Sequence, residues 1–287
     1  MDRPDLNSYF HRIGCTAGPW APTLDTLRAL HLHHVQAIAF ENLDPLSGQS
    51  VKLDLPSLEG KLVHGGRGGY CYEHNLLFSH VLRELGFRVT GLAARVLWNA
   101  PEDAIRARSH MLLRIDFGVE PYIADVGFGG QTLTGPLRLI ADVAQPTPHE
   151  PYRLIARDGD FVLQSQVRDS WKSLYRFDLQ QQFQVDYEVS SWYLCNHPQS
   201  PFVTSLRVAR PFAGGRYGLF NNQLTLHPLD GHTEHHRLGS AEEIRSALQT
   251  HFGLRVPTNP SLDAALARLV GDSATERLAR ESPAGTT

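Results

Sequence analysis

Apolar residues recur every three or four positions along the first 85 residues, which is the period of an α-helix with one buried face. A short stripe stops at Gly14, a longer one can be capped by Thr23, and a third follows Cys71. The stripe positions are Leu6, Tyr9, Phe10 and Ile13, then Leu24, Leu27, Leu30 and Val35, then Leu77, Phe78, Val81, Leu82 and Leu85. The sequence therefore predicts three main helices in this part of the chain.

From Phe87 onward the pattern changes to short apolar runs separated by glycine, proline and aspartate, which is typical of strands joined by tight turns. The runs cover residues 89–97, 111–117, 121–126, 152–156, 161–166 and 171–177. Repeated short strands of this kind predict a barrel or a strongly curved sheet.

The last third of the chain mixes helices and strands. Its predicted elements are a helix over 184–196, strands over 206–210, 216–220 and 223–226, and helices after Ala241 and Ser261. The helix that ends before Pro198 fits a linker, and a mobile tail is predicted beyond Glu281.

Composition narrows the class of partner. The chain has 287 residues and is 41% hydrophobic, which is enough for a packed core. Its 27 basic and 30 acidic residues leave a net charge of -3, which disfavours nucleic acid as a partner. The first residues lack the apolar core of a signal peptide, and no apolar run is long enough to span a bilayer. We therefore expect a cytoplasmic protein that binds neither nucleic acid nor membrane, while its oligomeric state stays open.

One of the three cysteines is a candidate for chemistry. Cys15, Cys71 and Cys195 are odd in number and show no close spacing, so reduced thiols are expected rather than a disulfide framework. Cys71 lies in the run RGGYCYEHN at 67–75, where a glycine-rich loop turns into the third predicted helix. A helix N-terminus carries positive partial charge and unpaired N–H groups, which favour a thiolate over a thiol. The sequence therefore predicts a cysteine nucleophile, although a lone cysteine is most often a small buried apolar residue.

A cysteine nucleophile needs a base and a group that orients the base. His110 is predicted at the start of one strand and Asp125 near the end of the next, so antiparallel pairing would place them side by side. A buried aspartate fixes the tautomer of an imidazole and stabilises the imidazolium, which in turn holds a thiolate. Taken singly, His110 could be a satisfied core histidine and Asp125 a turn former. The three residues together predict a Cys-His-Asp site.

The run GFGGQT at 127–132 directly follows Asp125 and should border the same cleft. Phe128 can form an apolar wall for a flat substrate, while the backbone of Gly129 and Gly130 approaches an acyl group or a phosphate-bearing ligand. The alternative is a simple turn between two strands.

A polar cluster on an apolar background, FENLD at 40–44, offers a carboxylate to the nucleophile loop. Arg67 is the obvious partner of Glu41. We expect an ion pair between them that braces the loop presenting Cys71.

Other functions for the glycine-rich loop and the histidines are disfavoured. No Gly-Lys-Ser/Thr follows the loop, so a nucleotide phosphate loop is not expected. A zinc site could combine Cys71 with His64, His74 or His80. Structural zinc usually shows a second pair of closely spaced ligands, which is missing, so no metal is expected. The histidines predicted to lie on solvated faces or turns are His31, His33, His34, His232, His235 and His236.

Over nearly its whole length the chain resembles the arylamine N-acetyltransferases, specifically the bacterial members of about this size. The motifs that carry the resemblance are YFHRIG at 9–14, FENLD at 40–44, RGGYCYEHN at 67–75 and DVGFGG at 125–130. Two positions depart from the family pattern, because Ala39 stands where proline is common and Tyr72 where phenylalanine is frequent. The carboxy-terminal third matches least clearly.

The resemblance implies an α+β fold with an N-terminal helical bundle, a central β-barrel and a C-terminal α/β lid. Its Cys-His-Asp core is related in layout to cysteine proteases and transglutaminases. The implied ranges are 1–86 for the bundle with the nucleophile, 87–183 for the barrel with the histidine and aspartate, 184–204 for a linker helix and 205–287 for the lid. Cys71, His110 and Asp125 fall on the family's catalytic positions.

The resemblance also implies acetyl transfer from acetyl-coenzyme A to the nitrogen of an arylamine or arylhydrazine, through an acetyl-cysteine and without a metal. Phe40 and Phe128 could stack the aromatic amine above Tyr72, and backbone N–H groups near Cys71 would stabilise the oxyanion. The coenzyme phosphates could be met by one of three arginines, Arg207, Arg210 or Arg216. A cysteine hydrolase or transglutaminase-like enzyme is the alternative, because the same triad serves both; a binding protein with a degenerate thiol is a third possibility.

Overall fold

The computed structural model describes residues 3–15, 18, 20–101 and 104–281 of the chain. These residues form an α+β fold in which helices pack against two antiparallel sheets, so the predicted fold class is confirmed. The predicted mobile tail beyond Glu281 lies outside the described residues. Within the described part, no helix is both long and apolar enough to cross a bilayer.

The amino-terminal third is mainly helical, and it contains the three helices predicted from the apolar stripes. Its elements are α1 (Leu6–Arg12), α2 (Leu24–Ala37), β1 (Phe40–Glu41), α3 (Leu43–Leu46), α4 (Leu55–Leu58), a π-helical turn (Glu59–His64) and α5 (Cys71–Glu84). Thr23 caps α2 as predicted, because its hydroxyl oxygen accepts the N–H of Thr26 at 3.2 Å. The elements β1, α3 and α4 were not predicted, since they are too short to show a period.

The prediction that His31 and His34 are solvated is wrong, because both side chains lie on the covered face of α2 and are completely buried. The Tyr9 hydroxyl donates to His34 Nδ1 at 2.9 Å, and His34 Nε2 lies 2.9 Å from His74 Nδ1. His74 Nε2 lies 3.2 Å from the carbonyl oxygen of Ala39. A carbonyl only accepts, so His74 Nε2 carries the proton and every hydrogen bond in this row runs in one direction. The row ties α1 and α2 to the residue that precedes β1.

His232, His235 and His236 are all exposed, as predicted. The sequence pattern does not distinguish these exposed histidines from the buried His31 and His34, because both sets lie in short polar runs.

The buried histidines should make the protein sensitive to acid. Burial is the main cause that lowers the pKa of His31 and of His74 to about 4, and it holds the pKa of His34 well below its ordinary value. In the unfolded chain, imidazoles bind protons below about pH 6.5, whereas the folded protein keeps these neutral. The free energy of unfolding should therefore fall between about pH 6.5 and pH 4, by about 3 kcal/mol for each histidine.

Urea denaturation at several pH values measures this loss. The variant His31→Gln should show a shallower decrease than the native protein, and the exposed-site control His236→Gln should not. His110 does not contribute to the acid effect, because its pKa is raised to about 10 and its stabilisation is lost only as the pH rises towards that value. Equal stability at pH values above and below this window would contradict the prediction.

The middle of the chain forms a nearly closed seven-stranded antiparallel barrel with the strand order β5-β4-β3-β2-β8-β7-β6. The strands are β2 (Arg88–Val96), β3 (Arg108–Phe117), β4 (Glu120–Ala124), β5 (Leu137–Arg138), β6 (Tyr152–Arg157), β7 (Asp160–Val167) and β8 (Ser170–Phe177). Bridges from Ala141 to Leu154 and from Gln145 to Tyr152 join the segment after β5 to β6. The prediction of a barrel or strongly curved sheet is confirmed.

The remaining elements build a second antiparallel sheet with helices beside it. They are α6 (Gln184–Asn196), α7 (Pro201–Thr204), β9 (Arg207–Phe212), β10 (Gly215–Phe220), β11 (Gln223–Pro228), β12 (Glu234–Arg237), α8 (Ala241–Thr250) and α9 (Pro260–Glu281). The sheet order is β1-β9-β10-β11-β12, and Phe40 of β1 pairs with Ala209 of β9. An amino-terminal segment therefore completes the carboxy-terminal sheet, which places Phe40 at the junction between them.

Helix α5 packs against one face of the barrel. A single apolar cluster contains Cys71 and Leu77 of α5, Met111 of β3 and Val126, which follows β4. This packing brings the first turn of α5 to the strands that carry the predicted histidine and aspartate.

Candidate active site

Cys71 is the first residue of α5, as the sequence predicts, and its side chain is buried. Glu73 Oε2 accepts a hydrogen bond from the backbone N–H of Tyr70 at 3.1 Å, and this bond caps the amino-terminal end of α5. The Cys71 sulfur lies 3.8 Å from the carbonyl oxygen of Ser109. The sulfur is therefore at the beginning of β3, next to His110.

His110 and Asp125 lie side by side, as the strand pattern predicts. His110 Nε2 is 2.7 Å from Asp125 Oδ2, and both side chains are buried. Burial lowers the pKa of His110, but the charge and hydrogen bond of Asp125, helped by the Cys71 sulfur, outweigh it and raise that pKa to about 10. Burial raises the pKa of Asp125, yet the His110 charge prevails and lowers it. The pair is thus an imidazolium and a carboxylate at neutral pH.

Asn75 completes the surroundings of Asp125, and it was not among the predicted site residues. Its Nδ2 donates to Asp125 Oδ1 at 3.0 Å, and its Oδ1 accepts the N–H of Val126 at 3.1 Å. The N–H of Gly127 also donates to Asp125 Oδ1, at 3.0 Å. Asn75 lies one helical turn after Cys71, so its polarity on a buried helix face was the signal that could have identified it.

Aromatic rings enclose the imidazole. The ring of Phe128 lies 5.2 Å from that of His110 at 85°, and the ring of Tyr175 lies 4.9 Å away. These rings limit the access of water to the ion pair, which strengthens its electrostatic attraction. Phe128 is therefore next to the triad, where its predicted role as an apolar wall requires it.

Close backbone packing fixes the loop after Asp125 on α5. A Cβ added to Gly127 would lie 2.7 Å from Cys71 Cα and 2.9 Å from Asn75 Nδ2. Contacts this short cannot be relieved by a side-chain rotation alone, because one partner is backbone.

Gly127→Ala should therefore push the loop away from α5 and lower the free energy of unfolding by about 1–3 kcal/mol. Any reaction that depends on the Cys-His-Asp site should slow as well, since the Gly127 N–H holds Asp125 in place. Urea denaturation beside Gly218→Ala provides the comparison, because a Cβ at Gly218 meets nothing within 4 Å. Similar losses in both variants would contradict the packing argument.

A partly buried charge network braces the loop that leads to Cys71. The predicted ion pair is present: Arg67 Nε is 2.8 Å from Glu41 Oε1, and Arg67 Nη2 is 2.8 Å from Asp44 Oδ1. Lys61 Nζ bridges Asp44 at 2.6 Å and Glu73 at 2.7 Å. Burial raises the pKa of Glu73 to about 7 in spite of Lys61. The network joins α3, the π-helical turn and α5 around the loop.

Arg67→Gln should destabilise the protein by about 3 kcal/mol, because it leaves the fully buried Glu41 without its cation. The melting temperature and the rate of any reaction at Cys71 should both fall. Arg28→Gln is the control, since it breaks the exposed pair with Asp25 and should cost less than about 1 kcal/mol. An unchanged melting temperature in Arg67→Gln would count against a bracing role.

The predicted substrate positions are divided between the cleft and the core. A Cβ at Gly129 would lie 3.5 Å from the Phe40 ring, so Phe40 and the 128–130 segment face each other. Gly129 has a φ of +94°, a conformation that favours glycine. Tyr72 is only 1% exposed and packs against the rings of its aromatic neighbours, Tyr70 and Tyr187. Phe40 and Phe128 are half-buried, whereas Tyr72 lies below the surface.

The three arginines considered for coenzyme phosphates differ. Arg216 is 2% exposed, and its guanidinium binds Glu150 at 2.6 Å and the Tyr152 hydroxyl at 3.1 Å. It is neutralised inside the protein and is therefore not available to a phosphate. The guanidinium of Arg207 lies over the ring of Phe220 at 5.0 Å. In the described part of the chain, neither Arg207 nor Arg210 forms an ion pair.

Comparison with known proteins identifies relatives over most of the chain. Residues 23–261 match the family model described as N-acetyltransferase. The chain is 47% identical to an arylamine N-acetyltransferase of Mycobacterium tuberculosis over 256 residues, which are 88% of this chain and 90% of that protein. It is 46% identical over 255 residues to the corresponding Escherichia coli protein, covering 88% and 90%.

Solved structures show the same relationship. The structure of Mycobacterium marinum arylamine N-acetyltransferase in complex with CoA is similar, with a TM-score of 0.88 and 45% identity over 92% of this chain and 99% of that one. Arylamine N-acetyltransferase from Salmonella typhimurium has a TM-score of 0.86 at 40% identity, covering 94% of this chain and 100% of that one.

Proposed function

Because this chain belongs to the arylamine N-acetyltransferase family and is an acyltransferase, we propose that it carries the acetyl group on Cys71 in a two-step, ping-pong reaction. The observation that carries the proposal is the sulfur of Cys71 at the start of α5, beside an imidazole that Asp125 binds at 2.7 Å. Acetyl-coenzyme A is the proposed donor, supported by the similar protein whose structure contains CoA.

In the first step, the Cys71 thiolate attacks the carbonyl carbon of the thioester and forms a tetrahedral oxyanion. Helix α5 supplies donors for that oxyanion, because its first internal bond runs from the His74 N–H to the Tyr70 carbonyl. The N–H groups of Cys71 and Tyr72 therefore have no partner within the helix. The bond between the acetyl carbon and the coenzyme sulfur then breaks, and the His110 imidazolium protonates the departing thiolate.

In the second step, the amine nitrogen attacks the acetyl-cysteine, and the neutral His110 removes the proton from that nitrogen. The bond between the acetyl carbon and the Cys71 sulfur breaks, which releases the amide and restores the thiolate. Asp125 orients the ring throughout and stabilises the imidazolium each time it forms. Splitting the transfer in this way makes each half easier than a direct transfer.

Aromatic amines and hydrazines are the proposed acceptors. The half-buried rings of Phe40 and Phe128 provide apolar faces on either side of Gly129, close to the triad. A planar aromatic ring can stack on such faces while its nitrogen points toward Cys71. The names of the similar proteins support this class of acceptor.

Steady-state kinetics test the proposal. Initial rates measured with varied acetyl-coenzyme A at several concentrations of an aromatic amine should give parallel double-reciprocal lines, and Cys71→Ser should show no transfer above background. Intersecting lines would indicate direct transfer and contradict the two-step route. The same triad could serve a hydrolase, so release of free amine from a simple aromatic amide without coenzyme A would favour that alternative.

A further inference from the structure

A pocket separate from the triad lies beside His64 and Gly66, at the start of the loop that leads to Cys71. The acetyl transfer proposed above uses none of the residues that line it. It has a volume of about 670 Å³ and is formed by α1, the π-helical turn and the segment between α8 and α9. Its polar side chains are Asn7, Ser8, His11, Arg12, His64 and Arg255. Four of these are basic, and the lining contains no carboxylate.

The arginine charges at this pocket are not neutralised. Arg12 donates to the backbone carbonyl oxygens of Leu62 at 2.9 Å and Ala37 at 2.8 Å, and these neutral acceptors leave its charge in place. The Arg255 guanidinium has neither a carboxylate partner nor a hydrogen-bond acceptor among the described residues. An exposed arginine can be solvated, but two arginines in one concave site concentrate positive potential there.

Arg210 adds a third charge from the neighbouring strand. Its Nη1 lies 3.1 Å from the position of a Cβ on Gly253, a residue that lines the pocket, and its buried Nε has no hydrogen-bond partner in the described structure. After burial, the charges of Arg255 and Arg210 are the causes that lower the pKa of Arg12. The three guanidinium groups are thus close enough to repel one another, and an anion between them would relieve that repulsion.

We propose that this basic pocket binds a phosphate-type oxyanion through Arg12 and Arg255, with Arg210 adding positive charge beside Gly253. A planar guanidinium matches two oxygens of a tetrahedral phosphate at once, which is why arginine is favoured in such sites. The site goes beyond the acetyl transfer proposed above, since none of its polar side chains hydrogen bonds to the triad residues.

The pocket is physically joined to the nucleophile loop. The backbone N–H of Arg255 donates to the Gly66 carbonyl at 2.9 Å, and the Arg255 side chain packs where a Cβ of Gly66 would lie. Arg12 Nη2 donates to the carbonyl oxygen of Arg67 at 3.3 Å. A bound anion therefore contacts side chains that hold the first residues of the loop.

Calorimetric titration with inorganic phosphate tests the proposal, with sodium chloride at the same ionic strength as the reference. The native protein should bind one phosphate. Arg255→Gln should weaken binding by about 10-fold or more, as expected for the loss of a charge-assisted hydrogen bond. Arg88→Gln is the matched control, because it removes one exposed arginine elsewhere and should bind as the native protein does. Arg255→Lys, which keeps the charge but not the planar fork, should bind with intermediate strength.

Two further titrations separate this proposal from the acetyl-transfer mechanism. Cys71→Ser should bind phosphate normally, whatever the outcome of the kinetic experiments. Coenzyme A should leave the phosphate affinity unchanged, because its thioester must reach Cys71 and none of the pocket's polar side chains hydrogen bonds to the triad. Displacement of phosphate by coenzyme A, absence of binding above the chloride reference, or equal binding by native protein and Arg255→Gln would each overturn the proposal.

Discussion

Replacing Cys71 with alanine is expected to reduce acetyl transfer by about 10⁴-fold or more, because no other group can carry the acyl intermediate. The fold should survive, because the substitution removes only the sulfur and leaves the backbone hydrogen bonds of α5 in place. Initial rates with acetyl-coenzyme A and an aromatic amine measure the loss, and circular dichroism checks the fold.

Cys15→Ala is the matched control for this experiment. Cys15 is a half-buried free cysteine that lies after α1, so its loss should leave the rate within the error of the native protein. Transfer by Cys71→Ala at more than a small fraction of the native rate would show that the acetyl group does not pass through Cys71.

Replacing Asp125 with asparagine should reduce acetyl transfer by about 10³- to 10⁴-fold, the size of effect seen when a triad aspartate becomes an amide. Both carboxylate oxygens accept hydrogen bonds: Oδ2 faces His110, and Oδ1 faces donors from Asn75 and Gly127. Either orientation of an asparagine amide therefore places an NH₂ group against an existing donor. The variant also removes the negative charge that raises the pKa of His110.

The pH profile distinguishes this electrostatic role from simple misfolding. Without the Asp125 charge the pKa of His110 should fall. The imidazolium should then lose its proton at a lower pH than in the native protein, and the residual activity should decline from that lower pH upward. Asp116→Asn is the control, because Asp116 pairs with Arg114 near the surface and should change the rate little. A native rate and pH profile in Asp125→Asn would refute the role assigned to this carboxylate.

The sequence was sufficient to predict the elements that position the triad. The apolar stripe predicted the helix that begins at Cys71, the helix over Gln184–Asn196 was also predicted, and the alternating strands placed His110 beside Asp125. These predictions depend on local periodicity, which a single sequence records well.

Features that depend on distant contacts were not predicted. The burial of His31 and His34 requires α2 to be covered by other elements, and the pairing of β1 with β9 joins residues that are far apart in sequence. The same applies to the partner of Arg216, because nothing near Arg216 indicates that Glu150 neutralises it. Long-range packing decides whether a polar residue is solvated, paired inside the core or placed in a site.

Intact-protein mass spectrometry after mixing with acetyl-coenzyme A in the absence of an acceptor amine tests most directly whether the triad loads an acetyl group onto Cys71. The native protein should gain one acetyl group, about 42 Da, on the peptide that contains Cys71, and an aromatic amine should remove it. Cys71→Ser should remain unmodified, and Asp125→Asn should be modified far more slowly. An unmodified native protein that still produces acetylated amine would contradict the proposed mechanism.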